Sequence, residues 1–321
     1  MEIKPEIAER IKLLAAKYEA MGQDLASYLD GLLFSDYLTY WDYIHLDTLL
    51  SLQSPRTPFP DEEIFIMYHQ VTELYFKLCL HEFKQIGGKP DLDATFLTAR
   101  LKRINAYFEA LTRSFDIMVE GMEREQFLKF RMALLPASGF QSAQYRKIEI
   151  CATDFKNLVE PEFRKRYDGT ITESMIEDMF NNIYWKKGAT ELASGKKTLT
   201  LQQFEKKYSA DLIELAKKFR LTNLWRMYKS LPEEQQQNQA LKNQMKFLDV
   251  NVNVNWPLVH YKSAVRYLQR NSEDIAATGG TNWQKYLPPR FQRRIFYPEL
   301  WDEKELEEWG KGWVEKNVFG F

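Results

Sequence analysis

The chain has 321 residues, 45% apolar and 28% charged, which suits a soluble globular protein and excludes a disordered chain or a long apolar membrane span. Its 44 basic and 45 acidic side chains leave a net charge of -1, so neither a phosphate backbone nor an anionic lipid surface meets an excess of positive charge, and neither nucleic acid nor membrane is predicted as a partner. Aromatic residues reach 14%; such rings fill cores and also line pockets for flat ligands.

The opening stretch, MEIKPEIAERIKLLAAKYEAMG, mixes both charge signs at helical spacing rather than pairing a basic end with an apolar centre, so the expected location is the cytoplasm. Apolar steps of three and four residues predict helices over 3–22 and 37–52, and SPRTPFP breaks the pattern with three prolines. Asp61, Glu62 and Glu63 suit the start of a helix that runs through Ile64, Phe65, Tyr68, Val71 and Leu78 to Gly87-Gly88, and its several apolar faces predict burial. Cys79 lies within it; with Cys151 the only other cysteine, a reduced compartment is expected and a disulfide framework is not.

Further helices are predicted from Leu92 or Asp93 to about 120 and from Arg124 to Leu134. Pro136 ends the second, and Ser138 with Gln141 three positions on has the form of a capping box. The stretch 152–240 is more polar and lysine-rich and reads as a smaller helical subdomain or insertion. Asp249–Trp256, DVNVNVNW, alternates at period two and predicts a short strand or extended segment, with Pro257 in the first turn of the next helix and ATGGTNW a loop beyond it. The predicted fold is therefore all-α, a helical bundle in three parts: core 1–150, insertion 151–240 and core 241–321. No Gly-rich phosphate loop and no internal repeat occurs.

Four histidines, His45, His69, His81 and His260, bound the search for metal ligands, and no Glu-x-x-His or HExxH pattern is present. His69 and Glu73 share a helix face and suit either a ligand pair or a structural hydrogen bond; His81 is expected to be solvated and His45 structural. His260, in WPLVHYKSAVR one turn after Trp256, fits a satisfied core residue or an axial ligand of haem iron, which needs only one protein ligand where zinc needs three or four. Phe65 and His69 offer an apolar wall and one polar group a turn apart. Arg131 follows Phe127 and Phe130, and an arginine among aromatics suits a bidentate grip on a carboxylate or a structural salt bridge. Thr278-Gly279-Gly280 adds a hydroxyl on a loop.

At these residues the sequence resembles the tryptophan 2,3-dioxygenase family. The resemblance rests on LTYWDYIHLDTLLSLQ (38–53), IFIMYHQVTELYFKL (64–78), FRMALLPASGFQSAQYR (130–146), WPLVHYKSAVR (256–266) and ATGG (277–280), in the family's order. It implies a helical fold with haem b and O2 as co-substrate, opening the indole C2=C3 bond of L-tryptophan to give N-formylkynurenine. His260 becomes the proximal ligand, with Trp256 and Ser138 beside the haem. His69 becomes the distal histidine that hydrogen-bonds the indole N–H, with Phe65 and Phe127 about the ring. Arg131 takes the substrate carboxylate and Thr278 its ammonium group. Tyr40 and Tyr43 fall on a helix that in the family enters from a neighbouring subunit, and a homotetramer is implied. Where the family has TGGSSG this chain has Thr278-Gly279-Gly280-Thr281-Asn282-Trp283, and Phe127 stands where some members carry tyrosine. These departures keep open a sister haem-dependent oxygenase on another indole or a phenol, beside a non-catalytic helical binding protein.

Overall fold

Along Ala94–Ser114 the residues Leu97, Leu101, Ile104, Phe108 and Leu111 recur at steps of four and three, and all five are fully buried. Burial of each such side chain contributes roughly 1.5–3 kcal/mol, so this one face fixes the helix in the core. The structure is a computed structural model whose described residues are 3–191, 194–270, 273–274 and 293–310.

Two compact units divide the chain, Met1–Gln53 and Ser54–Phe321. The first holds α1 (Pro5–Ala20), α2 (Leu25–Leu33), α3 (Tyr40–Ile44) and α4 (Leu46–Leu49). Asp24 caps α2 by accepting from the Ala26 and Ser27 amides at 3.1 and 3.2 Å. The single helix expected over 37–52 is instead two short ones, because His45 takes a left-handed backbone (φ 53°) that ends α3 and begins α4. A break at one residue leaves the apolar spacing on either side intact, so periodicity does not register it.

The second unit contains α5 (Asp61–Gly87), α6 (Ala94–Ser114), α7 (Asp116–Val119), α8 (Arg124–Phe130), α9 (Ala143–Ala152), α10 (Met175–Asn181), α11 (Tyr184–Gly188), α12 (Leu199–Phe219), α13 (Leu224–Lys229), α14 (Glu233–Gln236), α15 (Gln239–Val250) and α16 (Trp256–Leu268). Helix α5 packs on α6 and α9, α6 also on α15, and α16 on α6, α7 and α8. As predicted, the fold is all-α. Its extended pairing among the described residues amounts to the two-residue ladder of Gln269–Arg270 with Glu273–Asp274 and two isolated bridges. The Ser138–Gln141 capping box forms, but on a short 3-10 turn, and α9 starts later with Ser142 as its cap.

The strand expected over 249–256 is overturned. Asn251–Asn255 is a turn of π-helix that joins α15 to α16, so one helical run extends from Gln239 to Leu268 with Pro257 in its interior. Proline has no N–H and its ring crowds the carbonyl four residues back; a locally widened turn relieves both. The alternation of valine and asparagine misleads because this helix is buried on opposite sides. Val252 packs into the main core, while Val254 joins Leu258 and Trp309 in a separate cluster. The asparagines pair within the helix: the Asn253 amide donates to Asp249 Oδ1 at 2.8 Å and the Asn255 amide to Asn251 Oδ1 at 2.9 Å. Asp249 also accepts from the Phe296 and Tyr297 amides and from Trp301 Nε1, which fixes the 296–301 segment against this helix.

Candidate active site

Six helices of the second unit, α5, α7, α8, α9, α11 and α16, together with the turn at 138–140 line a cavity of about 340 Å³. Its walls are largely aromatic, and His69 and His260 both face it.

The two histidines are held alike. Nδ1 of His69 lies 2.7 Å from the Phe65 carbonyl and Nδ1 of His260 lies 2.9 Å from the Trp256 carbonyl, each one helical turn earlier. A carbonyl oxygen only accepts, so in both rings Nδ1 carries the proton and Nε2 keeps its lone pair. Stacking fixes the ring planes: Phe65 lies 4.1 Å from the His69 ring, and Phe115 and Trp256 each lie 4.4 Å from the His260 ring. Burial pushes His260 down to about 4, against the raising effect of the Trp256 carbonyl and with a smaller lowering push from His69. Burial likewise holds His69 below the ordinary histidine value. Both are therefore neutral at physiological pH, the state in which an imidazole nitrogen ligates a metal or accepts a hydrogen bond.

Around His69, Phe65 contacts Phe127 and Phe130 at 6.3 and 5.7 Å, and Phe127 contacts Tyr267 at 4.7 Å. The Tyr267 hydroxyl is anchored on the Val119 and Met122 carbonyls, both at 3.2 Å, which ties α16 to the 119–122 turn.

Of the residues singled out in sequence, Phe65, His69, Phe127, Ser138, Trp256 and His260 line this one cavity. Arg131 is buried in the 3-10 turn after α8, at 5% exposure, and is not among the lining residues. Tyr40 and Tyr43 belong to the first unit and are 69% and 73% exposed. Thr278, with its Gly279-Gly280 loop and Thr281 to Trp283, lies outside the described residues. Glu73 also lines the cavity, but its carboxylate accepts from Gln144 Nε2 at 2.8 Å. His45 and His81 are both exposed.

Sequence reasoning missed Tyr145, Arg146, Tyr184 and Arg294, which also line the cavity. Arg146 and Glu149 stand three apart in a helix whose other residues from Ile148 to Ala152 are buried apolar ones. Two charges on a buried face were the available signal. Nothing local marks Arg294.

The tryptophan 2,3-dioxygenase family matches residues 31–182. Among curated relatives, the tryptophan 2,3-dioxygenase of Ruegeria sp. (strain TM1040) is 40% identical over 130 residues, covering 40% of this chain and 46% of that protein. That of Polaromonas naphthalenivorans (strain CJ2) is 39% identical over 119 residues, 36% of this chain and 41% of its own length. The chain thus spans under half the length of these two relatives. The tryptophan 2,3-dioxygenase of Bacillus cereus (strain ZK / E33L) aligns over 281 residues at 28% identity, 84% of this chain and 92% of that protein. By these matches the chain is similar to the tryptophan 2,3-dioxygenase family.

Proposed function

We propose that the chain is a haem-dependent dioxygenase that opens the indole C2=C3 bond of L-tryptophan with O2 to give N-formylkynurenine. One observation carries this reading: two neutral histidines on different helices, each with Nδ1 tied to its own helix and Nε2 left as a lone-pair donor, face one aromatic cavity. Among the described residues no three His, Cys, Asp or Glu side chains converge as a metal-ion site. A single histidine therefore suits a metal that arrives with its other ligands, as haem iron does.

His260 would hold the iron through Nε2, with Trp256 and Ser138 beside the porphyrin, and the bound haem would supply the activation of O2. The Nδ1–H bond to the Trp256 carbonyl keeps the His260 ring oriented and raises its basicity as a ligand. His69 Nε2 accepts the indole N–H, and Phe65 and Phe127 hold the ring plane and exclude water. His69 is a positioning group rather than an obligatory base, because burial leaves it a weak one. Arg131 and Thr278 are the proposed partners of the amino acid's carboxylate and ammonium groups.

A homotetramer in the cytoplasm completes the proposal. Met67, Val71, Leu74 and Leu78 leave an apolar stripe exposed on α5, and Leu38, Tyr40, Trp41 and Tyr43 do so in the first unit, as surfaces that a neighbouring subunit would cover. Cys79 and Cys151 are free and buried, which fits a reducing compartment. Among the described residues no helix is long and apolar enough to cross a membrane.

The test is to load the protein with haem, reduce it, and supply L-tryptophan and O2 under mass-spectrometric detection. Tryptophan gaining two oxygen atoms is the expected result. Haem uptake with tryptophan unchanged, or gaining one oxygen, overturns the dioxygenase reading; the second outcome would favour the sister oxygenase.

A further inference from the structure

One part of the cavity wall is cationic. Arg146 Nη1 donates to Glu149 Oε2 at 3.1 Å and to the Tyr184 hydroxyl at 2.9 Å. Arg294 Nη1 donates to Glu149 Oε1 at 2.6 Å and also to Tyr184. Glu149 is fully buried, and among the described residues it is the carboxylate that pairs with either guanidinium. Two arginines on one carboxylate leave one positive charge over. Glu73, the other carboxylate on the wall, is occupied by Gln144 and pairs with neither arginine.

The guanidinium groups are rigid as well as buried. Arg146 sits among the rings of Phe140, Tyr145, Tyr184 and Trp185 at 5.3–5.9 Å, and Arg294 lies 4.7 Å over Tyr184. Their exposures are 9% and 6%, yet both line the cavity. Taking charge out of water is costly unless an opposite charge meets it. A surplus cation fixed in the wall of a cavity is matched to an anion on whatever fills that cavity.

We propose that Arg146 and Arg294 form a carboxylate-binding subsite of this cavity. The inference rests on the oxygenase reading for its occupants, which offer two sources of the same chemistry: the carboxylates of haem and that of the amino acid. In either case the planar guanidinium, held in place by Glu149 and Tyr184, loses little freedom on binding.

The experiment compares each ligand with its carboxylate-free counterpart. Haem is titrated against haem dimethyl ester by absorbance, and L-tryptophan against tryptamine on the haem-loaded protein by the shift of its visible spectrum. For at least one pair the unmodified protein should prefer the acid by about tenfold or more. That preference should collapse in Arg146→Gln and in Arg294→Gln. Either single variant leaves Glu149 with one arginine, so the buried charge stays balanced. The pair that collapses identifies the source of the carboxylate. Equal affinities within both pairs on the unmodified protein overturn the inference without any variant. So does a preference that persists in both Arg146→Gln and Arg294→Gln. Absence of haem uptake by the unmodified protein overturns the oxygenase reading itself, and the inference with it.

Discussion

The Tyr145 hydroxyl donates to the Val252 carbonyl at 2.8 Å, and that carbonyl is one the helix cannot satisfy on its own. In an α-helix its donor would be the Trp256 amide, but Trp256 N–H turns to Asn251 instead. In the π register the donor would be residue 257, which is proline. Tyr145 on α9 thereby closes the gap that Pro257 opens one turn before His260.

Replacement of Tyr145 by phenylalanine should cost about 1–3 kcal/mol, the penalty of leaving a buried carbonyl unsatisfied. Urea denaturation measures it. In a Pro257→Ala background the helix regains an N–H and can adjust its register, so the same change should cost less. Additive costs in the double variant would show that Tyr145 serves something other than the proline's gap.

The two histidines should separate in their effects. His260→Ala should abolish the haem absorbance band after reconstitution. His69→Ala should keep haem but raise the KM for tryptophan, since the group lost accepts from the substrate and not from the iron. Reconstitution followed by gel filtration and a visible spectrum reads the first effect, and steady-state kinetics the second. A His260→Ala protein that binds haem as the unmodified one does would remove the proximal assignment.

How much of this could be read in advance differs from residue to residue. The helix at 61–87 and the shared face of Phe65 and His69 follow from local patterns, because helix faces are properties of short stretches, whereas the company of His260 is implied only by the resemblance to the tryptophan 2,3-dioxygenase family. The π-turn was hidden: a helix buried on two sides carries no polar face for periodicity to find, and Asn251, Asn253 and Asn255 imitate a strand's alternation while bonding inside the helix and, through the Asn251 amide, to Asn105 on α6. The cation pair was hidden for another reason. Arg146 and Arg294 are separated by 148 positions and meet only through Glu149 and Tyr184, a long-range contact that composition and spacing do not encode.

Acid should weaken the unliganded protein. His260 and His69 are depressed in the fold relative to the ordinary 6.5, so the unfolded chain binds protons first. Their contribution is complete above about pH 6.5 and weakens as pH falls below it; for His260 it is lost toward about 4 and is no more than about 3 kcal/mol. Asp249 runs the other way, because burial pushes its carboxyl up to about 6 despite the donors around it, and its contribution weakens as pH rises from about 4 through 6. Urea midpoints between pH 5 and 7.5 should therefore rise with pH, and by less in His260→Gln. An unchanged pH dependence in that variant would show that the unfolded and folded chains protonate His260 alike.

Glu149 and Arg294 touch each other but should not be equally expensive to neutralise. Glu149→Gln leaves Arg146 and Arg294 facing each other with no carboxylate between them, a buried and uncompensated pair of like charges, and should cost about 3–5 kcal/mol. Arg294→Gln removes the surplus charge while Arg146 continues to pair with Glu149 at 3.1 Å, so its cost should be clearly smaller. Thermal and urea denaturation of the unliganded proteins distinguish the two. Comparable losses would mean that the hydrogen bonds to Tyr184, not the balance of charge, hold this cluster together, since both variants disturb those bonds but only one deepens the imbalance.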